Sequence, residues 1–329
     1  MQSRIVLIDR PGGPEVLRLE TRAVPPPGPG EALLRHTAIG LNFIDIQHRS
    51  GRYPLPAYPA PLGIEAAGVV LEIGPGVDAV RPGDRVVYSF PPFGSYVDCR
   101  VMQADRLVPI PAGIDDDRAA AVFNKGLTAH YLLHTTYVVA PGDTILVHAA
   151  AGGVGSLLCQ WATARGATVI GAVGSEEKAA LAAAHGCRHV IIHTRDDLVR
   201  RVREITGGAG VAVVYDSVGR DTFEASLLCL RPRGTLVFFG SASGPVPPFD
   251  LFRLNTLGSL HVTSPAYVTH TADRAELLSR AHDLFAGLAD GTLRLEVGRR
   301  YDLAEAAEAH RDLEGRRTVG ASILRPATG

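Results

Sequence analysis

Residues 144–164 read TILVHAAAGGVGSLLCQWATA and contain no Asp, Glu, Lys or Arg. A run that long and uncharged could span a bilayer. Gly152, Gly153 and Gly155 interrupt its middle, however, and His148, Ser156 and Gln160 are polar. The stretch therefore reads as a buried strand, a glycine turn and a buried helix, and we reject a membrane span. Leu157, Leu158, Trp161 and Ala162 recur at helical spacing, and Gly166 closes the helix. Within the turn, Ala149, Gly152 and Gly155 stand as A-x-x-G-x-x-G. Gly152 lets backbone approach a pyrophosphate, Gly155 lets helix pack closely on strand, and the helix N-terminus offers N–H groups and partial positive charge.

Outward from this turn the rhythm continues. TILVHAA, ATVIGAV, HVIIHT, VAVVYD, TLVFFG and SLHVTS are six strand candidates within 124–265. Helical patterns separate the first four: EEKAALAAAHG closes at Gly186, and Leu198, Val199, Val202 and Ile205 mark a helix closed by Gly207. Strands alternating with helices imply right-handed βαβ units, and six strands make a complete Rossmann doubly wound parallel sheet. The glycines of Gly207-Gly208-Ala209-Gly210 lie between a helix and a strand and read only as a helix stop.

Residues 1–123 have another texture, with short β-like runs punctuated by turn signals such as Pro25-Pro26-Pro27-Gly28 and Arg81-Pro82-Gly83-Asp84. Residues 266–329 combine a helix whose face carries Leu277, Ala281, Leu284 and Leu288, a helix over 302–314 and a last strand, GASIL. We expect 266–329 to complete the β-rich domain, so that 124–265 is an insertion in it. The 329 residues agree, since about 150 per domain suggests two. Net charge is −1, from 33 Lys+Arg against 34 Asp+Glu, which argues against binding nucleic acid or an anionic membrane. Cys99, Cys159, Cys187 and Cys229 are scattered without a CxxC pair, as in a reduced, cytoplasmic protein.

The end of the second strand selects the dinucleotide. NAD sites place Asp or Glu there to accept from the ribose 2′-OH. This chain has Gly174-Ser175-Glu176-Glu177-Lys178. Small residues make room, Ser175 can donate and Lys178 can meet a 2′-phosphate, which favours NADPH. The competing reading is a solvent-facing lysine beside two carboxylates. There is no GxSxG elbow, and His130 and His134 lack the Glu of an HExxH zinc motif. They, and His189 with His193 on one expected strand face, read as ordinary residues, and no metal site is expected.

AAAGGVG, the strand end Asp216-Ser217-Val218-Gly219, GLNFIDIQHRSGRYP at 40–54 and GIEAAGVV at 63–70 together resemble the zinc-independent quinone oxidoreductases. These form the zeta-crystallin-like branch of the medium-chain dehydrogenase/reductase superfamily. The resemblance runs over nearly the whole chain and implies a GroES-like catalytic domain around the Rossmann insertion. Zinc enzymes of that superfamily carry ligands where this chain has Asn42, Ile64 and Lys125. The resemblance thus points to acceptors that take hydride without a Lewis acid, quinones and conjugated enones, in a cleft between the domains.

It also implies roles for individual positions. Asn42 is expected to contact nicotinamide and substrate, Thr128 to lie near nicotinamide, and Gly152, Gly153 and Val154 near the pyrophosphate. Gly174, Ser175 and Lys178 surround the 2′-phosphate in that picture, and Arg316 reaches it, with Arg317 an alternative one residue on. His193 stands where relatives often have a tyrosine by the adenosine. Ser217, Phe239, Gly240 and Ser241 follow strand ends, where ligands of open α/β sheets collect. Tyr53 reads either as a lining and proton donor of the quinone pocket or as a plain loop aromatic. The resemblance favours a homodimer with Ser259–Ser264 at the contact. An NADPH-dependent enone or 2-alkenal reductase shares every cofactor feature, and a non-enzymatic NADPH-binding or RNA-binding protein is a further reading, against which the lack of a basic patch counts.

Overall fold

The structure, a computed structural model, describes residues 1–315, 317–318 and 320–327. The chain begins with β1 (Gln2–Ile8), β2 (Arg18–Ala23), β3 (Glu31–Gly40), helix α1 (Phe43–Arg49), β4 (Ala60–Pro61), β5 (Glu65–Ile73), β6 (Arg85–Ser89), β7 (Cys99–Gln103) and β8 (Val108–Pro109). Helix α2 (Asp116–Tyr131) leads into β9 (Thr144–His148), α3 (Gly153–Ala164), β10 (Thr168–Val173), α4 (Glu176–Ala184), β11 (His189–Ile192) and α5 (Leu198–Ile205). Then come β12 (Val211–Asp216), α6 (Phe223–Cys229), β13 (Leu230–Phe238), α7 (Phe252–Thr256) and β14 (His261–Thr263). The chain closes with α8 (Tyr267–His270), α9 (Arg274–Ala289), β15 (Val297–Asp302), α10 (Ala306–Glu314) and β16 (Ala321–Arg325).

Two compact units result. One comprises Met1–Asn124, Leu277–Ala289 and Leu295–Gly329, the other Lys125–Glu276 and Asp290–Arg294. The return to the first unit thus comes at Leu277, later than the expected 266. The reason lies in α8, whose Tyr267 and His270 rings pack on Tyr131 at centroid distances of 6.4 and 4.4 Å, tying 266–276 to the second unit. Asp290–Arg294 is tied there too, because Gln160 bonds both the Arg294 N–H (2.7 Å) and its carbonyl (3.0 Å).

In the first unit β3 is the hub. It pairs antiparallel with β5 along one edge, and its other edge is shared between β7 at Glu31–Arg35 and β16 at Ile39–Gly40. The core comes from the inward residues of these strands, including Leu34, Ile39, Ala66, Val86, Tyr88 and Leu324. A smaller antiparallel sheet has the order β2-β1-β4.

The second unit is the Rossmann doubly wound sheet. Its order is β11-β10-β9-β12-β13-β14 and every pairing is parallel. Strand β12 is buried throughout its length and β9 over all but its first residue, Thr144, so both read as largely apolar runs, as a parallel sheet covered on both faces requires. The strand order reverses between β9 and β12, so the carboxyl ends there form the topological switch point.

Three local expectations change. His193 lies one residue past β11, so it shares no strand face with His189. β13 begins at Leu230, earlier than TLVFFG, because Leu230 pairs with Val211 before a bulge shifts the register. The helix expected over 302–314 is a 3-10 turn at Leu303–Glu305 followed by α10. No helix among the described residues is long and apolar enough to cross a membrane.

Candidate cofactor and substrate site

β9 ends at His148, and Ala149 turns the chain with φ +49°. Gly152 N–H donates to the Ala149 carbonyl (2.8 Å), and Ser156 N–H then donates to the Gly152 carbonyl (2.8 Å), starting α3. With glycine as N-cap, the first N–H groups of α3 have no side-chain cap. The glycines divide the work unequally. A Cβ on Gly155 would lie 2.2 Å from the Ala149 carbonyl oxygen and 3.0 Å from Ala150 Cα, so helix and turn touch there through backbone. A Cβ on Gly152 would meet Ala149 O at 3.1 Å and is otherwise nearly unopposed. A Cβ on Gly153 would meet the stem of Lys125, 2.9 Å from Cδ. The lysine read from sequence only as a departure from a zinc pattern therefore lies along the glycine turn, with Thr128, buried, almost one turn later in α2.

At the end of β10, Ser175 is the N-cap of α4, and its hydroxyl accepts from Lys178 N–H (3.3 Å). Lys178 is half-buried, and Glu176, the farther of the two carboxylates in sequence, is ion-paired to Arg195 at 2.6 Å. Arg195, which sequence reasoning passed over, thus neutralises part of the acidic surroundings of Lys178. A Cβ on Gly174 would lie 3.5 Å from His193 Nε2, so the exposed imidazole sits beside the bare glycine. Arg316 lies outside the described residues. Arg317 donates to Asp312 (Nε to Oδ1, 2.9 Å).

The ends of β12 and β13 are laced together. Phe239 N–H donates to the Asp216 carbonyl (2.9 Å), Ala242 N–H to Ser217 (3.2 Å) and Ser243 N–H to Val218 (2.8 Å). Gly240 lets this happen, because a Cβ there would come within 2.9 Å of the Ser217 carbonyl oxygen. Beneath these loops the Asp216 carboxylate is fully buried. It accepts from the N–H groups of Val218 (2.8 Å) and Gly219 (3.1 Å) and from the hydroxyls of Thr222 (2.8 Å) and Ser226 (2.8 Å). Ser226 Oγ also lies 2.9 Å from His148 Nε2, joining the ends of β9 and β12. Burial pushes His148 below the ordinary histidine range despite the Asp216 charge. This network escaped sequence reading; its signal was a lone Asp ending an otherwise apolar strand, with Thr222 and Ser226 just downstream.

In the first unit Asn42 caps α1. Its Nδ2 donates to Glu65 Oε1 (2.7 Å), its N–H donates to Asp45 Oδ2 (2.9 Å), and Glu65 Oε2 accepts from Asn124 N–H (2.6 Å). Glu65 and Asp45 are fully buried. Asp45 in turn accepts from Tyr96 Oη (3.0 Å), which reaches His310 (3.1 Å), which meets Arg49 (3.1 Å), whose guanidinium pairs with Glu314 (2.6 Å). The Asn42 side-chain amide is therefore held by Glu65 and its backbone N–H by Asp45, and no local sequence pattern announces the first of these partners. Tyr53 is half-buried, and its N–H donates to the Gln47 carbonyl (3.1 Å). Ile64 is a buried core residue. Among the described residues no group of three or more His, Cys, Asp and Glu side chains is placed to hold a metal ion.

Comparison with known proteins agrees with this build. Residues 28–143 match the family model of the alcohol dehydrogenase GroES-like domain, and residues 153–283 match that of the zinc-binding dehydrogenases. Together they define a medium-chain dehydrogenase/reductase. The quinone oxidoreductase of Pseudomonas aeruginosa is 49% identical over 96% of this chain and 97% of its own. The 2-haloacrylate reductase of a Burkholderia species is 45% identical over 97% of this chain and 98% of its own. The crystal structure of Escherichia coli quinone oxidoreductase complexed with NADPH superposes with a TM-score of 0.96 at 46% identity, covering 98% of this chain and 100% of that one. The chain belongs to the quinone oxidoreductase family, in the zinc-independent branch of that superfamily.

Proposed function

We propose that the protein reduces quinones with NADPH and without a metal ion, by hydride or stepwise electron transfer. The observation that carries this reading is the set Asn42, Ile64 and Lys125. A neutral amide, a buried hydrocarbon and a cation do not make a zinc site, so the acceptor has to be one that takes hydride without a Lewis acid. The relatives named quinone oxidoreductase support the same reading.

NADPH, when bound, supplies the hydride. The uncapped N–H groups at Gly153 and Val154, with Gly152 giving access, hold the pyrophosphate. Lys178 meets the 2′-phosphate together with Arg316 or Arg317, Gly174 and Ser175 leave it room, and His193 lies by the adenosine. Ser217, Phe239, Gly240 and Ser241 border the cofactor at the strand ends, and Thr128 lies near nicotinamide. Asn42, its amide oriented by Glu65, donates to the oxygen that gains charge. Tyr53 lines the acceptor's pocket and is the candidate proton donor.

The test is NADPH and NADH oxidation against 1,4-benzoquinone-type and 2-alkenal acceptors, with a metal assay alongside. Metal-free turnover of quinones with NADPH preferred is expected. Tight NADPH binding without oxidation by any acceptor would overturn the reading in favour of a non-enzymatic NADPH-binding protein. A second reading, reduction of activated alkenes, is favoured by the 2-haloacrylate reductase relative; higher kcat/KM with the enals would establish it.

A homodimer is part of the proposal. Among the described residues β14 pairs with β13 alone, and Val262 on it is 39% exposed, which leaves the other side of the Ser259–Ser264 edge for a second copy. Light scattering that finds a monomer at working concentration removes it. The four cysteines are all free thiols, which supports a reducing, cytoplasmic setting.

A further inference from the structure

From position 119 to 133, along most of α2 and just past it, every residue but Asn124 is buried. The one Asp, Glu, Lys or Arg in that stretch is Lys125, at 8% exposure. A lysine is seldom buried to that degree, because its ammonium gives up hydration that only anions or strong acceptors replace. Excluding zinc does not account for it. Any residue that is not a ligand would exclude the metal, and most of them would bring no charge into a buried helix.

The stem shows where the charge is delivered. A Cβ on Gly153 would lie 3.7 Å from Lys125 Cγ, 2.9 Å from Cδ and 3.1 Å from Cε. The hydrocarbon thus runs across Gly153 instead of ending against it. The ammonium, one bond beyond Cε, falls within about 6 Å of the Gly153 Cα. Gly153 is the first residue of α3, whose N-cap is a glycine that makes no side-chain cap. The first turn of α3 holds neither an acidic nor a basic residue, and 149–156, AAAGGVGS, is uncharged throughout. The glycine turn therefore offers a doubly charged pyrophosphate hydrogen bonds and a helix-end charge of about half a unit, but no whole positive charge. Lys178 stands elsewhere, in the first turn of α4 after β10.

We propose that the Lys125 ammonium binds the pyrophosphate of the cofactor, supplying the whole charge that the glycine turn lacks. The proposal rests on the NADPH reading above. It gives the two lysines separate duties: Lys178 answers to the 2′-phosphate, which only NADPH has, whereas Lys125 holds a group that NADPH and NADH share.

The test is calorimetric titration of the full chain with NADPH, NADH and adenosine 2′-monophosphate, which has the 2′-phosphate but no pyrophosphate. Lys125→Met keeps hydrocarbon against Gly153 and removes the charge. It should weaken NADPH and NADH by the same factor, about 10- to 100-fold, the scale of one charge-assisted hydrogen bond. Adenosine 2′-monophosphate should bind within about twofold of wild type, a result that a general disturbance of the second unit would not give. Lys178→Ala should show the converse, with NADPH and adenosine 2′-monophosphate weakened and NADH kept. Lys125→Arg, which retains a cation, should bind both dinucleotides more tightly than Lys125→Met. Unchanged dinucleotide binding in Lys125→Met, a loss confined to NADPH, a parallel loss of adenosine 2′-monophosphate, or equal losses in the Met and Arg variants each overturn the proposal. Wild-type protein that binds neither dinucleotide defeats the underlying NADPH reading, whereas wild-type binding that Lys125→Met leaves intact defeats only the role of Lys125.

Discussion

Replacing Gly155 and Gly152 by alanine, one at a time, should separate a glycine required by packing from one required by a ligand. A methyl on Gly155 would sit 2.2 Å from the Ala149 carbonyl oxygen and 2.9 Å from its carbon, both backbone atoms that cannot rotate aside. The start of α3 must then shift by roughly 1 Å, an overpacking that costs about 1–3 kcal/mol. Alanine's better helix propensity returns about 0.5–1 kcal/mol. Because both opposing atoms are backbone, the overpacking falls in the upper half of that range, so the net loss is about 1–2.5 kcal/mol, equivalent to a fall in Tm of about 1–4 °C for a chain of this size. Gly152 is different: its φ is −80° and ψ 172°, open to any residue, and its methyl would meet one backbone oxygen at 3.1 Å. Gly152→Ala should therefore stay within about 0.5 kcal/mol of wild type in stability, the scale of a Gly-to-Ala change at an N-cap. Its NADPH affinity should nevertheless fall at least about tenfold, because the methyl occupies the approach of the pyrophosphate. The assays are thermal unfolding without cofactor and NADPH titration by fluorescence. An unaltered Tm in Gly155→Ala would refute the packing argument, and an unaltered Kd in Gly152→Ala would refute the pyrophosphate assignment.

Lys178→Ala should weaken NADPH binding by about 1.5–3 kcal/mol, the scale of one charge-assisted hydrogen bond, and leave NADH nearly unaffected; unchanged constants for both cofactors would remove Lys178 from the 2′-phosphate site. Asp216→Ala strands two N–H groups and the Thr222 and Ser226 hydroxyls in a buried setting. It should cost about 3 kcal/mol or more in urea unfolding, and a loss below about 1 kcal/mol contradicts the network's importance. Acid should destabilise the fold through His36 and His310, both buried and both pushed down to about 3, by burial first and then by the charges of Arg100 and Arg49. Between that value and the ordinary 6.5 the unfolded chain binds protons that the folded chain refuses. Stability is therefore full above pH 6.5 and falls as pH drops toward 3, by up to about 1.4 kcal/mol per pH unit for each histidine. Urea unfolding at pH 7 and pH 5 should differ by about 4 kcal/mol, and His310→Gln should flatten the slope; a pH-independent midpoint would contradict it.

Most of the second unit was legible in the chain because its elements are local. A parallel strand buried throughout its length has to be apolar, as VAVVYD is, and helices between strands must repeat at 3.6 residues, as Leu198, Val199, Val202 and Ile205 do. The candidate cofactor residues were legible for the same reason. Gly152, Gly174, His193, Ser217 and Phe239 each follow the carboxyl end of a strand, and where a strand ends is written in its own sequence. Less legible were positions set by long-range pairing. β13 starts five residues before its apolar run because Leu230 meets Val211, a fact that belongs to both segments and to neither alone.

The sequence by itself determined the parallel six-stranded unit, the glycine turn, the lack of a carboxylate at the end of β10 and the replacement of metal-ligand types at Asn42, Ile64 and Lys125. The first three follow from periodicity, backbone sterics and side-chain chemistry, which act over a few residues; the last is what the resemblance to a superfamily of zinc enzymes implies. Only the tertiary structure decided which groups hold one another: Glu65 on Asn42, Asp216 on Thr222 and Ser226, Arg195 on Glu176, and the stem of Lys125 on Gly153. A buried charge or lone pair must find its partner wherever the fold brings one. For that reason the partners stand up to 28 residues apart in the chain, as Lys125 and Gly153 do, and no local pattern announces them.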